Sequence, residues 1–529
     1  MKISIKRAAP VALALVLAAC DGGGSGGGVQ PAPTPTPTPI TTLNVTLSKS
    51  SGETSFADDE KVPPFEFDAA VVGATADPVI ADLQYDRTRF TLDSDLARGA
   101  DGKYRVRLIP IATLASGAYA GTVTFRLCRD AACSIVYPGS TQSFSYRFTA
   151  RLADWTTFQR NAAHNGYVRS TFDPAVFRKA WDYKPANVTY MSTVSSANGL
   201  IYVGTGNADG TSSVRALAAA NADERWAYNM GVKYSWSGPA IGKGKVLLTS
   251  MVSSSDSNQI VSVDAVTGQY SGPNMRFASQ WSNFLPPTPY GDELYMSAGY
   301  YGNVLYGFSL LGESWWSSMA GGGQIWDGQT PAVDADNVYY YSGPGVDVYD
   351  RITHRLQRRL VNPFFDTIGY SYYGSPILGM NRNVLVYSGH RRSETPSILV
   401  NWLIDTRTHT WRSVDAYSTT PGVGGGSVYL ARNAPSRLDA LDEVTGAVRW
   451  SWTPPASERF VGNTIVTATL VFVSTDKAIY AIPLQGTSHA PAWSAPSSGE
   501  MALTADGLLV VTHQEGGYTP RSLVAYRLQ

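Results

Sequence analysis

One unit of about 45 residues recurs eight times in this chain, and it limits the fold more than any other feature. A small-Pro or small-apolar pair opens the units at Val194, Pro239, Pro287, Pro331, Pro376, Pro421, Ile465 and Leu503, at spacings of 45, 48, 44, 45, 45, 44 and 38 residues. About seven residues later comes an apolar run, LIYV, VLL, LYM, VYYY, VLVY, VYL, LVFV and LLVV in turn, followed by a third run such as QIVSVDA, GVDVYDR or RLDALDE. Short runs rich in Val, Tyr and Leu, without the 3.6-residue period of a helix, read as strands. A unit this small cannot bury its own apolar faces and must stack on the next, so the repeats predict an all-β chain with an eight-bladed β-propeller over residues 155–529.

The last unit reaches Gln529 directly after its third strand, which would leave a sheet edge unpaired. Residues 177–185, FRKAWDYKP, carry a Trp181-x-Tyr183 pattern that matches Trp226-x-Tyr228 and Trp450-x-Trp452 on the fourth strands. They are expected to complete the eighth unit and so to couple both ends of the domain. Tight turns such as Asp264-Ala-Val-Thr267-Gly268 and Asp442-Glu-Val-Thr445-Gly446 follow the third strands. Trp226, Trp315 or Trp316, Trp411, Trp450 and Trp493 lie a few residues beyond such turns, where their rings are expected to dock between neighbouring units.

Together with the opening stretch WTTFQRNAAHNGY, Trp155 to Tyr167, this AxDxxTGxxxW-like pattern resembles the pyrroloquinoline-quinone-like, or BamB-like, propeller repeat family over about 370 residues. Tyr270 and Leu356 stand where the pattern carries Trp. The resemblance implies a propeller and, for BamB-like members, a non-catalytic envelope lipoprotein engaged in outer-membrane protein assembly. For quinoprotein members it implies pyrroloquinoline quinone with calcium, a vicinal cysteine pair and an acidic and amide ligand set. No cysteine follows Cys133, and no acidic cluster recurs at a constant place in the unit. His354, His390, His409 and His513 lack a nucleophile context such as GxSxG. The expectation is therefore no catalytic residue, no metal site and no bound cofactor, with a quinone oxidoreductase as the alternative.

Ahead of the repeats, Lys2, Lys6 and Arg7 precede an apolar stretch from Ala8 to Ala19 that is too short for the ~20 residues a spanning helix needs. Residues 1–20 read as a signal peptide, and its closing Leu17-Ala18-Ala19-Cys20 resembles the lipobox of bacterial lipoproteins, which makes Cys20 the acylated residue. Residues 21–42, Gly/Ser-rich and then Pro/Thr-alternating, read as a linker. Over 43–150, alternating runs such as FEFDAAVV and QSFSYRFTA predict an Ig-like β-sandwich, whose Cys128 and Cys133 are expected to be bridged in an oxidising compartment. Deleting this module is expected to cross only a domain boundary, and to cost the propeller less than losing residues 177–185.

The expected address is the bacterial cell envelope, lipid-anchored, with the choice of membrane and of face open. Lys plus Arg and Asp plus Glu are equal at 42, so no net field draws the chain to nucleic acid. Tyr190, Trp236, Phe284, Trp326, Tyr373, Tyr417 and Phe460 lie three to five residues before their units, on loops that propeller geometry brings to the central opening. Two readings stand. The rings form a recognition face for envelope proteins or glycan, or they pack together as a plug. The expected function is a protein-binding scaffold built on a monomeric propeller, with a glycan-binding module as a further alternative.

Overall fold

The computed structural model describes residues 42–252, 258–273, 275–279, 285–298, 304–319, 329–365, 375–388, 398–513 and 519–529. Their regular structure is strand, apart from one 3-10 turn at Pro174–Val176.

Two four-stranded sheets come first. One orders Asn44–Leu47, Phe65–Val72, Lys103–Pro110 and Phe90–Leu92 as neighbours. In the other, Ser51–Ala57 runs parallel to Gln142–Arg151, followed by Gly117–Cys128 and Ile80–Gln84. The alternation in FEFDAAVV turns Phe65, Phe67 and Ala69 inward, where they share one core with Phe125, Phe144 and Phe148 of the facing sheet. Phe67 stacks on Phe144 with centroids 4.6 Å apart, and Phe65 meets the same ring edge-on at 6.0 Å. Offset and edge-on pairs of this kind add to the burial of the rings.

Eight sheets follow in a β-propeller arrangement, antiparallel except that Tyr167–Val168 runs parallel to Phe460–Thr467 in the seventh. The first consists of Val188–Ala197, Leu200–Asn207, Ser212–Ala218 and Glu224–Gly231, paired in chain order. The same up-and-down order recurs over 235–277, 288–319, 332–361, 377–412, 422–452 and 460–495. Second and third strands are almost wholly buried, as in VYYY of 338–341 and VLVY of 384–387, because sheets cover both their faces. In the eighth sheet Gly499–Leu503, Leu508–His513 and Ser522–Arg527 are completed by Arg178–Tyr183, antiparallel to Ser522–Arg527. This is the strand that the Trp181 pattern predicts. Innermost strands of the eighth and first sheets are also in contact.

The tryptophans explain how one sheet grips the next. The indole N–H of Trp181 donates to Ala219 O (2.9 Å), that of Trp226 to Ala265 O (3.2 Å) and that of Trp411 to Glu443 O (3.0 Å). Each acceptor sits in the turn after the following sheet's third strand. Trp316 and Trp450 instead stack on histidines in that turn, His354 at 4.6 Å and His489 at 4.0 Å. Of the pair 315/316 it is Trp316 that docks, while Trp315 remains exposed.

Candidate functional site

The sequence nominates a ring of aromatics on the loops that enter the innermost strands. Tyr190 and Trp236 come together edge-to-face, with centroids 5.7 Å apart, and Tyr190 stays partly exposed. Trp236 lies flat on Gly204 and Gly206, where an added Cβ would stand 2.9 and 3.1 Å from the indole, so the glycines make its bed. Tyr417 and Phe460 are buried. The Tyr417 hydroxyl donates to Asp439 Oδ2 at 2.9 Å, and burial together with that carboxylate raises its pKa. Phe460 packs on Trp452 at 6.0 Å. These two rings are held in the interior, since one has its hydroxyl captured and the other a neighbouring ring. Phe284, Trp326 and Tyr373, like Cys20, lie outside the described residues. Cys128 and Cys133 form a disulfide, their Cα atoms 5.0 Å apart.

What closes the centre is the opening stretch, residues 155–166, threaded past the inner strands as a chain of acceptors. Trp155 O accepts from Ser196 N–H, Thr156 O from Ile241, Ala162 O from Val333, Ala163 O from Leu378, Asn165 O from Val423 and Gly166 O from Val466, all at 2.7–2.9 Å. In five of the six the donor stands two residues after the start of a repeat. At the third repeat that place is Pro289, which has no N–H, and the Thr157 hydroxyl donates to Pro287 O instead (2.7 Å). Gln159 donates to Pro421 O, and fully buried His164 has Nδ1 on Pro376 O (2.9 Å) and Nε2 on Thr288 Oγ1 (3.0 Å).

Above this floor lie two adjoining cavities of about 180 and 90 Å³ that share Phe158, Leu285 and Thr420. The smaller is also lined by Trp155, Thr193 and Glu500, and Glu500 is the one charged group on its wall. Burial raises the Glu500 pKa to about 7. No described residue gives its carboxylate a hydrogen bond or a counter-charge.

A second surface lies at the opposite end of the strands, on the turns after third strands. The carboxylates of Asp264, Asp350 and Asp442 each accept from the backbone N–H groups two and three residues on. That ties the backbone inward and leaves the side chain of the second residue pointing at solvent. This residue is Val266, Ile352 and Val444 in those turns and Leu311 in the third sheet's turn. Four residues further on stand Tyr270, Leu356, Val448 and Trp315. All eight are exposed, with Val266, Leu311 and Ile352 at 75%, 71% and 70%. Three of the four pairs fall on consecutive sheets, the second to the fourth.

No protein-family model matches this sequence, and no curated protein matches it in sequence. Among solved structures, BamB from Moraxella catarrhalis is similar with a TM-score of 0.49 and 15% identity, over 66% of this chain and 100% of its own. Apo AztD from Citrobacter koseri follows at 0.40 and 13%, over 60% and 87%. The Cps50 (Swd1) β-propeller domain of Myceliophteria thermophila gives 0.35 and 10%, over 67% and 100%. Scores below 0.5 at such identities carry no activity, ligand or partner over to this chain.

Glu500 and the exposed turn pairs escape a reading of the sequence. A single Glu inside an apolar strand gives no pattern, and Val266 or Val444 looks like any other residue of a tight turn until the register of eight sheets is aligned. Tyr270 and Leu356 gave the one available signal, as departures from Trp. Among the described residues, one grouping has the ligand spacing of a metal site, Asp82 with Cys128 and Cys133, and its sulfurs are consumed by the disulfide.

Proposed function

We propose that this chain is a lipid-anchored protein of the bacterial cell envelope, an eight-bladed propeller carrying an Ig-like module, that works without catalysis as a protein-binding scaffold, with outer-membrane protein assembly as its setting. The observation that carries the reading is the repeated exposed pair, Val266/Tyr270, Leu311/Trp315 and Ile352/Leu356, on consecutive blades. Exposed apolar residues scattered singly are ordinary, but a patterned group containing Trp and Tyr is typical of surfaces that bury against another protein. Acylation at Cys20 would supply the anchor; no helix among the described residues is long and apolar enough to cross a membrane.

The alternative of a calcium-activated quinone does not fit the channel residues. Calcium takes 6–8 oxygen ligands, several of them carboxylates as a rule, and Glu500 stands alone. For the glycan alternative no described feature speaks specifically.

A photo-crosslinking side chain at Leu311, with Asp209 on the opposite face as control, tests the scaffold. A discrete envelope-protein adduct is expected from position 311 and none from 209. The same adducts from both positions, or none from either, would remove the rim as a binding surface.

A further inference from the structure

The channel cavity carries an inference independent of the rim, since it opens among the loops at the other end of the strands. Glu500 enters from the innermost strand of the eighth sheet, Gly499–Leu503. Its neighbours on the cavity wall include the hydroxyl-bearing Thr193, Thr420 and Thr512 and the aromatic Trp155 and Phe158, with apolar Val194, Leu285, Pro286 and Met501 among the rest. Asn463 is already used, donating to Gln159 Oε1 and Met501 O and accepting from Met501 N–H. The wall thus offers ring faces, apolar surface and a few hydroxyls around one carboxylate, and no described positive charge. The Glu500 side chain is partly buried here, and a carboxylate drawn out of bulk water without a partner is costly, so sequences keep one where it has work to do.

We propose that this cavity is a receptor for a single organic cation, an amine or a guanidinium group, seated on the Glu500 carboxylate between the rings of Trp155 and Phe158. A ring face and a carboxylate both attract such a group, and the attraction grows where water is displaced. The volume, about 90 Å³ in the smaller cavity, is that of about three waters and suits a cationic head rather than a large ligand. A metal ion is the poorer occupant, because one carboxylate and a few hydroxyls fall short of the oxygen set that calcium takes. The same chemistry can come from a free amine or from a Lys or Arg side chain of a docked protein.

Binding requires the ionised carboxylate. Tyr190 of Val188–Ala197 is the described titratable group whose own pKa is raised by burial and by the Glu500 charge. It stays neutral near pH 7, so affinity should rise with pH up to about 7 and level off above it.

Calorimetry on the full chain tests this with N-acetyl-lysine amide and N-acetyl-arginine amide as probes, N-acetyl-norleucine amide as the neutral control, and ethylamine as the free amine. The charged probes are expected to bind and norleucine amide not. Glu500→Gln should lose at least tenfold in affinity, and Phe158→Leu several-fold. Because an unpaired, partly buried carboxylate opposes folding, Glu500→Gln should also melt higher than wild type at pH 8. Equal binding of norleucine amide, undiminished affinity in Glu500→Gln, or a lower melting temperature for that variant would each overturn the proposal. Tighter binding of the amino-acid amides than of ethylamine assigns the cation to a protein side chain, and the reverse to a free amine.

Discussion

Between Pro376 O and Thr288 Oγ1 the imidazole of His164 donates through Nδ1, while the Thr288 hydroxyl can give or take the hydrogen bond at Nε2, so it is complete burial that holds the ring neutral. Burial lowers its pKa from 6.5 to about 4. The unfolded chain therefore binds a proton that the folded chain refuses between those values, so this part of the stability is complete above pH 6.5 and is lost as the pH falls towards 4. At ~1.4 kcal/mol per pH unit the loss amounts to about 3 kcal/mol. Denaturant melts of wild type and His164→Gln at pH 7 and pH 4.5 should show wild type losing markedly more stability than the variant. An equal loss in both would mean that His164 titrates normally. The sequence shows this histidine only as part of the WTTFQRNAAHNGY stretch, because nothing in that stretch tells that its carbonyls serve six different sheets.

Elements were more readable than sites, for a physical reason. The second and third strands of each unit are buried on both faces and advertise themselves as apolar runs, and the Trp on the fourth strand marks even the strand that crosses from residues 178–183 to close the eighth sheet. Ser51–Ala57 and Ile80–Gln84 were not foreseen, since both are half-exposed strands at the sides of their sheet whose polar residues face water. The docking of Trp411 onto the sixth sheet permits a sharp prediction. Gly446 has φ 71°, and a Cβ there would stand 2.6 Å from the indole, whereas a Cβ on Gly312 of the third sheet's turn would meet nothing within 4 Å. Gly446→Ala should cost ~1–3 kcal/mol through the left-handed backbone and more through the displaced ring, while Gly312→Ala stays within ~0.5 kcal/mol. Thermal melts of the two variants decide it; equal shifts would show that the ring does not wedge against this turn.

On the scale of the molecule, the sandwich is pinned to the propeller's central floor, which corrects the expectation that its removal crosses only a boundary. Arg160, in the stretch that closes the channel, is buried at 1% exposure and pairs with equally buried Asp58 of the sandwich. Asp58 also accepts from the backbone N–H groups of Ala153 and Arg169 at 2.7 Å. The Ser116 hydroxyl donates to Gln529 Oε1 at the far end of the chain.

The two partners of this pair are not equivalent. Without Arg160 the carboxylate keeps two N–H donors, whereas without Asp58 the guanidinium keeps Tyr167 O as its described hydrogen-bond acceptor, with the Asp59 and Asp154 carboxylates as charge neighbours that do not hydrogen-bond it. A buried charge that loses its hydrogen-bonded counter-ion costs up to ~3–5 kcal/mol, and a hydrogen bond lost to a group still partly satisfied ~1–3 kcal/mol. The penalty for Asp58→Ala is capped at the cost of undocking, because separation lets water reach Arg160. The variant should therefore stay folded but let the sandwich swing free, and trypsin should cut after Arg151 and Arg160 much faster than in wild type. Arg160→Met removes the charge that has to be hydrated and, read at Arg151 because its own site is gone, should remain largely resistant, and adding it to Asp58→Ala should restore part of the protection at Arg151. If Asp58→Ala proved no more susceptible than Arg160→Met, the pair would not be what couples the sandwich to the propeller, and the coupling would have to be sought in the contacts of Ser170 and Thr171 with Leu114 and Thr113.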